Sequence, residues 1–190
     1  LKKDILNLIN QELIDTIRNE CLNMRKECVS DYAINETEHT LHGGNWEWHS
    51  YILKGEKQPI FEKYCPTTTI FLNSINSLQT NIPFAYSFFS SLMPNSDIDA
   101  HYGPTNLRLR CHLPLVVPEN CGIVVGGEKK QWKEGELMIF DDSYEHYVYH
   151  NGSTERILLL FDIWHPEIVE EEKKYIIEMF EQAKKQGWLK

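Results

Sequence analysis

The chain has 190 residues, enough for one ordinary globular domain that buries its own core without disulfides or a structural metal. A formal charge of -9 argues against a general nucleic-acid or anionic-membrane binder, since both partners require a positive surface. With 42% hydrophobic and 12% aromatic residues the chain is not a disordered one, and its five cysteines, odd in number and without a CxxC pair, do not make a disulfide framework.

Apolar residues at Ile5, Ile9, Leu13, Ile17, Cys21, Met24 and Cys28 are spaced by threes and fours, which predicts one packing helix. The polar stretch from Asp31 to Gly44 reads as a loop, followed by a strand over Trp46 to Leu53 and a connection at Lys54 to Pro59. Thr67 to Leu78 fits helical spacing through Ile70, Phe71, Ser74, Ile75 and Leu78, although its threonines favour strand. From Phe84 the pattern shortens into Phe84 to Met93, Leu107 to Val117, Gly122 to Val125, Leu137 to Phe140, His146 to His150 and Ile157 to Ile163. Short strands at such spacing predict a barrel or sandwich. Pro166 then opens a last helix over Glu167 to Gln186, acidic at its start and basic near its end, with Ile168, Tyr175, Met179 and Phe180 on its apolar stripe. The outline is a single domain: a helical extension over 1–45, a β core over 46–166 and a closing helix over 167–190.

The chemistry concentrates in HYGPTNLRLRCH, from His101 to His112, in FDDSYEH ending at His146, and in Arg156. His101 precedes a Gly-Pro turn and His146 starts a strand, so both stand at strand mouths, which converge in a small barrel. The common non-haem iron arrangement adds a carboxylate two residues after the first histidine, and Gly103 occupies that position here. A third ligand then comes from elsewhere, or water fills the site. Asp142, four residues before His146, is placed to hold such a water, and equally to cap its own turn.

Strand alternation puts Arg108, Arg110 and His112 on one face. Two arginines on a buried face need anionic company, either a bound carboxylate or internal Asp or Glu. Arg156 offers a planar fork for a carboxylate of the same kind. Trp46, Trp48, Tyr102 and Tyr144 are candidates for a substrate groove or for core, while His39, His42, His150 and His165 read as structural or surface residues.

HYGPTNLRLRCHLPLVVP, WKEGELMIFDDSYEH and FDIWHPE, in that order, resemble the catalytic domain of the aspartyl/asparaginyl β-hydroxylases over roughly Trp46 to Glu167. The resemblance implies a double-stranded β-helix (jelly-roll, cupin-like) core with flanking helices, and an Fe(II)- and 2-oxoglutarate-dependent dioxygenase that uses O2 to hydroxylate an unactivated carbon. It implies His101 and His146 as iron ligands and Gly103 as the mark of the missing acid. Arg110 and His112 would meet the oxoacid end of 2-oxoglutarate, and Arg156 and Ser91 its distal carboxylate, with Ser90 an equal candidate in register. The expected substrate is a small molecule or peptide, either an Asp/Asn-type residue or a related amino acid, peptide or acyl chain. The alternatives are a non-catalytic β-barrel binding module and a cupin-type isomerase. Reduced thiols and the lack of a membrane-length apolar run make the cytoplasm the expected setting.

Overall fold

The computed structural model describes residues 2–32 and 41–189. His39 lies outside the described residues, and so does the side chain of His42. The order of elements is α1 (Lys2–Leu6), α2 (Gln11–Glu27), β1 (Leu41–Gly43), β2 (Trp46–Leu53), β3 (Glu56–Lys57), α3 (Pro59–Tyr64) and α4 (Pro66–Asn73). Then come β4 (Ser87–Leu92), β5 (Asp97–His101), β6 (Arg108–Val116), β7 (Cys121–Val125), β8 (Glu128–Lys130), β9 (Met138–Phe140), β10 (His146–His150), β11 (Arg156–Trp164) and α5 (Glu170–Lys185).

Two helices stand where periodicity predicts one. Asn10 accepts a hydrogen bond from the Leu13 N–H at 2.9 Å and so starts α2 afresh, while Ile5 on α1 still reaches the core. Thr67 to Leu78 begins as the expected helix, α4, because Pro66 suits the first helical turn and Glu20 accepts from Thr67 N and Thr68 N, each at 2.8 Å.

The strands form two antiparallel sheets, ordered β1-β5-β10-β7-β8 and β3-β2-β4-β11-β6-β9. Between them lie Trp46, Trp48, Phe88, Ile98, Ile123, Val148, Leu158 and Leu160. The opposite face of the six-stranded sheet, with Phe89, Cys111, Leu113, Leu159 and Phe161, packs under Ile14, Ile17, Met24, Phe61 and Leu72 of the helices. β11 is therefore buried on both faces at every position, which is why it reads as a nearly unbroken apolar run. The architecture is the double-stranded β-helix with flanking helices.

The last helix turns differently from its expected stripe. Tyr175 and Met179 are exposed, and the partly buried hydrophobic residues are Ile176, Ile177 and Phe180 of α5 and Ile168 just before it, Phe180 lying edge-on to Phe84 at 5.5 Å. Among the described residues no helix is long and apolar enough to cross a membrane.

Candidate active site

His101 ends β5 and His146 begins β10, and the two are direct partners in the antiparallel register. Their rings lie 4.2 Å apart, centre to centre. Nδ1 of His101 is 2.7 Å from the Asp99 carbonyl oxygen, and Nδ1 of His146 is 2.9 Å from that of Tyr144. A carbonyl only accepts, so both Nδ1 atoms carry the proton and both Nε2 atoms keep a lone pair. Burial pulls both imidazoles below their ordinary pKa, His146 to about 4, with the neighbouring ring adding to its shift. Two adjacent neutral imidazoles, each with a lone pair on Nε2, are the donor set an open iron centre requires, so these residues fit the metal. Among the described residues no group of three or more His, Cys, Asp or Glu gathers closely enough to hold an ion.

Gly103 has a steric reason to be glycine. A Cβ there would lie 2.6 Å from the carboxyl carbon of Asp142, whose carboxylate fills the space beside it, and the Gly103 N–H donates to the Asp142 carbonyl at 2.6 Å. Burial alone would raise the Asp142 pKa, but the Arg110 and Arg108 charges hold it well below the usual carboxylate range. Arg108 donates to Asp142 through Nη2 at 2.6 Å and to Asp162 through Nη1 at 3.0 Å, and Nη1 also meets the Phe84 carbonyl. Arg110 donates to Asp162 through Nε at 2.9 Å and Nη2 at 3.1 Å. The arginine face found by alternation is thus neutralised internally, by Asp142 and Asp162.

A cavity with about 370 Å³ of atom-free space, part of it open to solvent, joins these groups. His101, His146, Arg110, His112, Ser90 and Arg156 line it together with Trp46, Phe88, Ile98, Ile123, Phe140, Val148 and Leu160. The register resolves the choice between the paired serines: Ser90 faces the cavity, and Ser91 points to the helix layer beside Cys21. Period-two alternation forbids both from lining one face. Of the two candidates, Ser90 is the serine that lines the cavity and Ser91 is not.

Arg156 is 1% exposed at the start of β11. Its Nη2 donates to Ser90 Oγ at 2.9 Å, its guanidinium lies 5.2 Å from the centre of the Trp132 ring, and its Nε is buried without a partner. Burial draws its pKa down to about 10, and no carboxylate pairs with it among the described residues. Ser90 Oγ already accepts from Trp46 Nε1 at 2.8 Å as well as from Arg156, so its own proton is left to donate elsewhere. His112 accepts the Trp132 indole N–H on Nδ1 at 3.2 Å. Its proton therefore sits on Nε2, which is buried with no partner.

Sequence reasoning missed Asp162, Trp132 and the cavity role of Trp46 as a donor to Ser90. A lone acid inside the apolar run of β11 was the available signal for Asp162, whereas Trp132 reaches in from a connection and left none. Trp48 stacks on Phe88 at 4.0 Å in the core, and Tyr102 and Tyr144 are exposed beside the two histidines. His150 is fully buried, its Nδ1 accepting from Gly152 N, and His165 accepts from Glu167 N in the turn before α5.

The family model for aspartyl/asparaginyl beta-hydroxylase matches residues 11–166, and so takes in α2 as well as the sheets. Aspartate beta-hydroxylase domain-containing protein 2 of Xenopus tropicalis is 40% identical over 139 residues, which is 70% of this chain and 38% of that protein. The aspartyl/asparaginyl beta-hydroxylase of Mus musculus is 34% identical over 159 residues, 83% of this chain and 21% of that protein. The chain thus spans well under half the length of these relatives. A prolyl-4-hydroxylase of Pseudomonas putida shares the fold at a TM-score of 0.51 and 15% identity, over 83% of this chain and 89% of that one. On the extent of the family match and the likeness to these relatives, the chain belongs to the aspartyl/asparaginyl beta-hydroxylase family.

Proposed function

We propose that this chain is an Fe(II)- and 2-oxoglutarate-dependent dioxygenase that hydroxylates an unactivated carbon of an amino acid, peptide or acyl substrate. The observation that carries the reading is Arg156, a buried guanidinium with an unpartnered Nε and no anion beside it in the described residues. A buried cation left without a counter-charge is costly, and a ligand carboxylate in the cavity would remove that cost.

In this reading Nε2 of His101 and of His146 would hold the iron, and Arg156 and Ser90 would hold the distal carboxylate of the cosubstrate. The Nε2–H of His112 would donate to its oxoacid end, with Arg110 beside it on the cavity wall. When bound, iron and 2-oxoglutarate together would activate O2 and supply the oxidising power for hydroxylation, with succinate and CO2 as coproducts. Asp142, kept ionised by Arg110 and Arg108, would orient water beside the two histidines from the space that Gly103 leaves. The apolar lining from Trp46, Phe88, Ile98 and Leu160 limits the water that reaches the reacting groups.

The test is an anaerobic titration of the protein with Fe(II) and then 2-oxoglutarate. A visible metal-to-ligand charge-transfer band that His101→Ala, His146→Ala and Arg156→Ala each weaken is the expected result. No band, and no succinate formed in air, would overturn the reading.

A further inference from the structure

Trp132 sits in the connection between β8 and β9 and is the one buried residue from Gly126 to Glu134, at 3% exposed. An otherwise solvated loop thus sends a single indole between the sheets. The loop is tied to β6, which carries His112, and to the residue after it: Gly135 N donates to the Pro114 carbonyl at 2.9 Å, and Glu134 accepts from Val117 N at 3.0 Å. A Cβ on Gly135, whose φ is +74°, would lie 2.8 Å from Cδ1 of Ile14, so the loop also lies tight under α2.

The indole so placed touches two of the residues assigned above to 2-oxoglutarate. Its Nε1–H donates to His112 Nδ1 at 3.2 Å, and the Arg156 guanidinium lies 5.2 Å from its ring centre. An indole donates and never accepts, so only a lone pair on Nδ1 can meet it. The partner made by one imidazole nitrogen decides which nitrogen carries the proton. Burial, with the Arg156 and Arg110 charges beside it, keeps His112 neutral, so one proton is shared out between two nitrogens. In the opposite tautomer two N–H groups would face each other, and a lone pair would meet the oxygens of the cosubstrate. The second contact is of another kind: a desolvated guanidinium is attracted to the face of a tryptophan, and Ser90 is the one side chain that hydrogen-bonds Arg156.

We propose, resting on the dioxygenase reading, that Trp132 is a positioning residue for 2-oxoglutarate: its N–H fixes the tautomer in which His112 presents Nε2–H to the cosubstrate, and its ring face holds the Arg156 guanidinium. Packing alone would ask only that a buried indole find some acceptor. The acceptor it finds is the one atom whose use leaves a buried, unpartnered N–H on the far side of the same ring. Trp132 does not line the cavity, so it acts through His112 and Arg156, which do.

The first measurement needs neither iron nor cosubstrate. Nitrogen NMR of the whole chain, isotopically labelled at histidine and with His112 assigned from His112→Gln, should show a protonated Nε2 and a bare Nδ1, and Trp132→Phe should mix the two tautomers. An Nδ1–H in the unmutated protein overturns the proposal whether or not the variant folds, and so does an unchanged single tautomer in Trp132→Phe. The second measurement titrates the anaerobic Fe(II) protein with 2-oxoglutarate and follows the visible band. Trp132→Phe should weaken binding about tenfold, but by about threefold or less when His112→Ala is already present. An equal loss in both backgrounds, or none in either, means that the indole does not act through His112 and overturns its role there. Trp132→Leu, which removes the ring face as well, should bind about threefold more weakly than Trp132→Phe, and equal affinities overturn the Arg156 contact. Failure of the dioxygenase reading looks different: the unmutated protein forms no band, while the tautomer of His112 still reads as expected.

Discussion

Arg156 combines near-complete burial with a single side-chain hydrogen bond to Ser90, an arrangement suited to ligand capture rather than to apoprotein stability. Replacing it by Met should weaken 2-oxoglutarate binding on the order of 100-fold, or ~3 kcal/mol. The same change should raise the unfolding free energy of the ligand-free protein by ~1 kcal/mol, because an uncompensated buried charge is removed. Calorimetric binding and urea denaturation on one variant read both, and binding equal to the parent would sink the cosubstrate assignment. Gly103 makes a second residue-level case. Gly103→Ala puts a methyl 2.6 Å from the Asp142 carboxyl carbon, so it should cost ~2 kcal/mol in urea unfolding. Asp142→Ala in the same chain should relieve most of that cost, and additive effects of the two changes would show that they do not compete for one space. Much of this site was legible in advance: His101, His146, Arg110, His112 and Arg156 all line one cavity. What sequence could not settle was which of two adjacent serines faces inward, since that depends on the register of β4 against β11. Nor could it tell whether the arginine face is neutralised by ligand or by Asp142 and Asp162, because those acids arrive from other strands and turns.

At the scale of elements, the strands carrying site residues were readable because each alternates or runs apolar against a core. β10 has the boundaries expected for it, and β2 does too. The misses are short and polar: β5 reads DIDAH with only Ile98 fully inward, and β8 reads EKK and is wholly exposed. Such segments are strands because a neighbour pairs with them, which leaves little pattern in their own residues. The helices failed for another reason. The spacing that runs through Asn7 and Asn10 is unbroken, yet the Asn10 side chain caps α2 and competes with a continuous helix. Glu20 shows how one element fixes another, since its carboxylate accepts from two N–H groups of α4 and from Thr68 Oγ1 at 2.6 Å. Glu20→Ala should therefore cost ~2 kcal/mol in chemical denaturation, from donors left without their acceptor at a part-buried helix start. A loss below ~0.5 kcal/mol would mean that water replaces the carboxylate freely.

Taken whole, the molecule divides its proposed ligands between its layers. The two histidines belong to the five-stranded sheet, through β5 and β10, while Ser90, Arg110, His112 and Arg156 belong to the six-stranded one, through β4, β6 and β11. Cosubstrate at 100 times its dissociation constant, with iron present, should add ~2.7 kcal/mol to stability, which for a chain of this size is roughly 5–10 °C in thermal midpoint. A shift below about 2 °C at that saturation would argue against a ligand that binds only the folded state. The division also has a mechanical reading. The six-stranded sheet is backed by α1 to α4, with α5 packed against the same core, and has β11 buried on both faces, whereas β5 and β10 border the outer groove formed by Asp97, Asp99, Tyr147 and Tyr149. Iron and cosubstrate together would act as a rivet through the thinner wall. Deuterium uptake by the backbone amides of β5 and β10 should slow on ligation, while those of β11, already shielded, should hardly change.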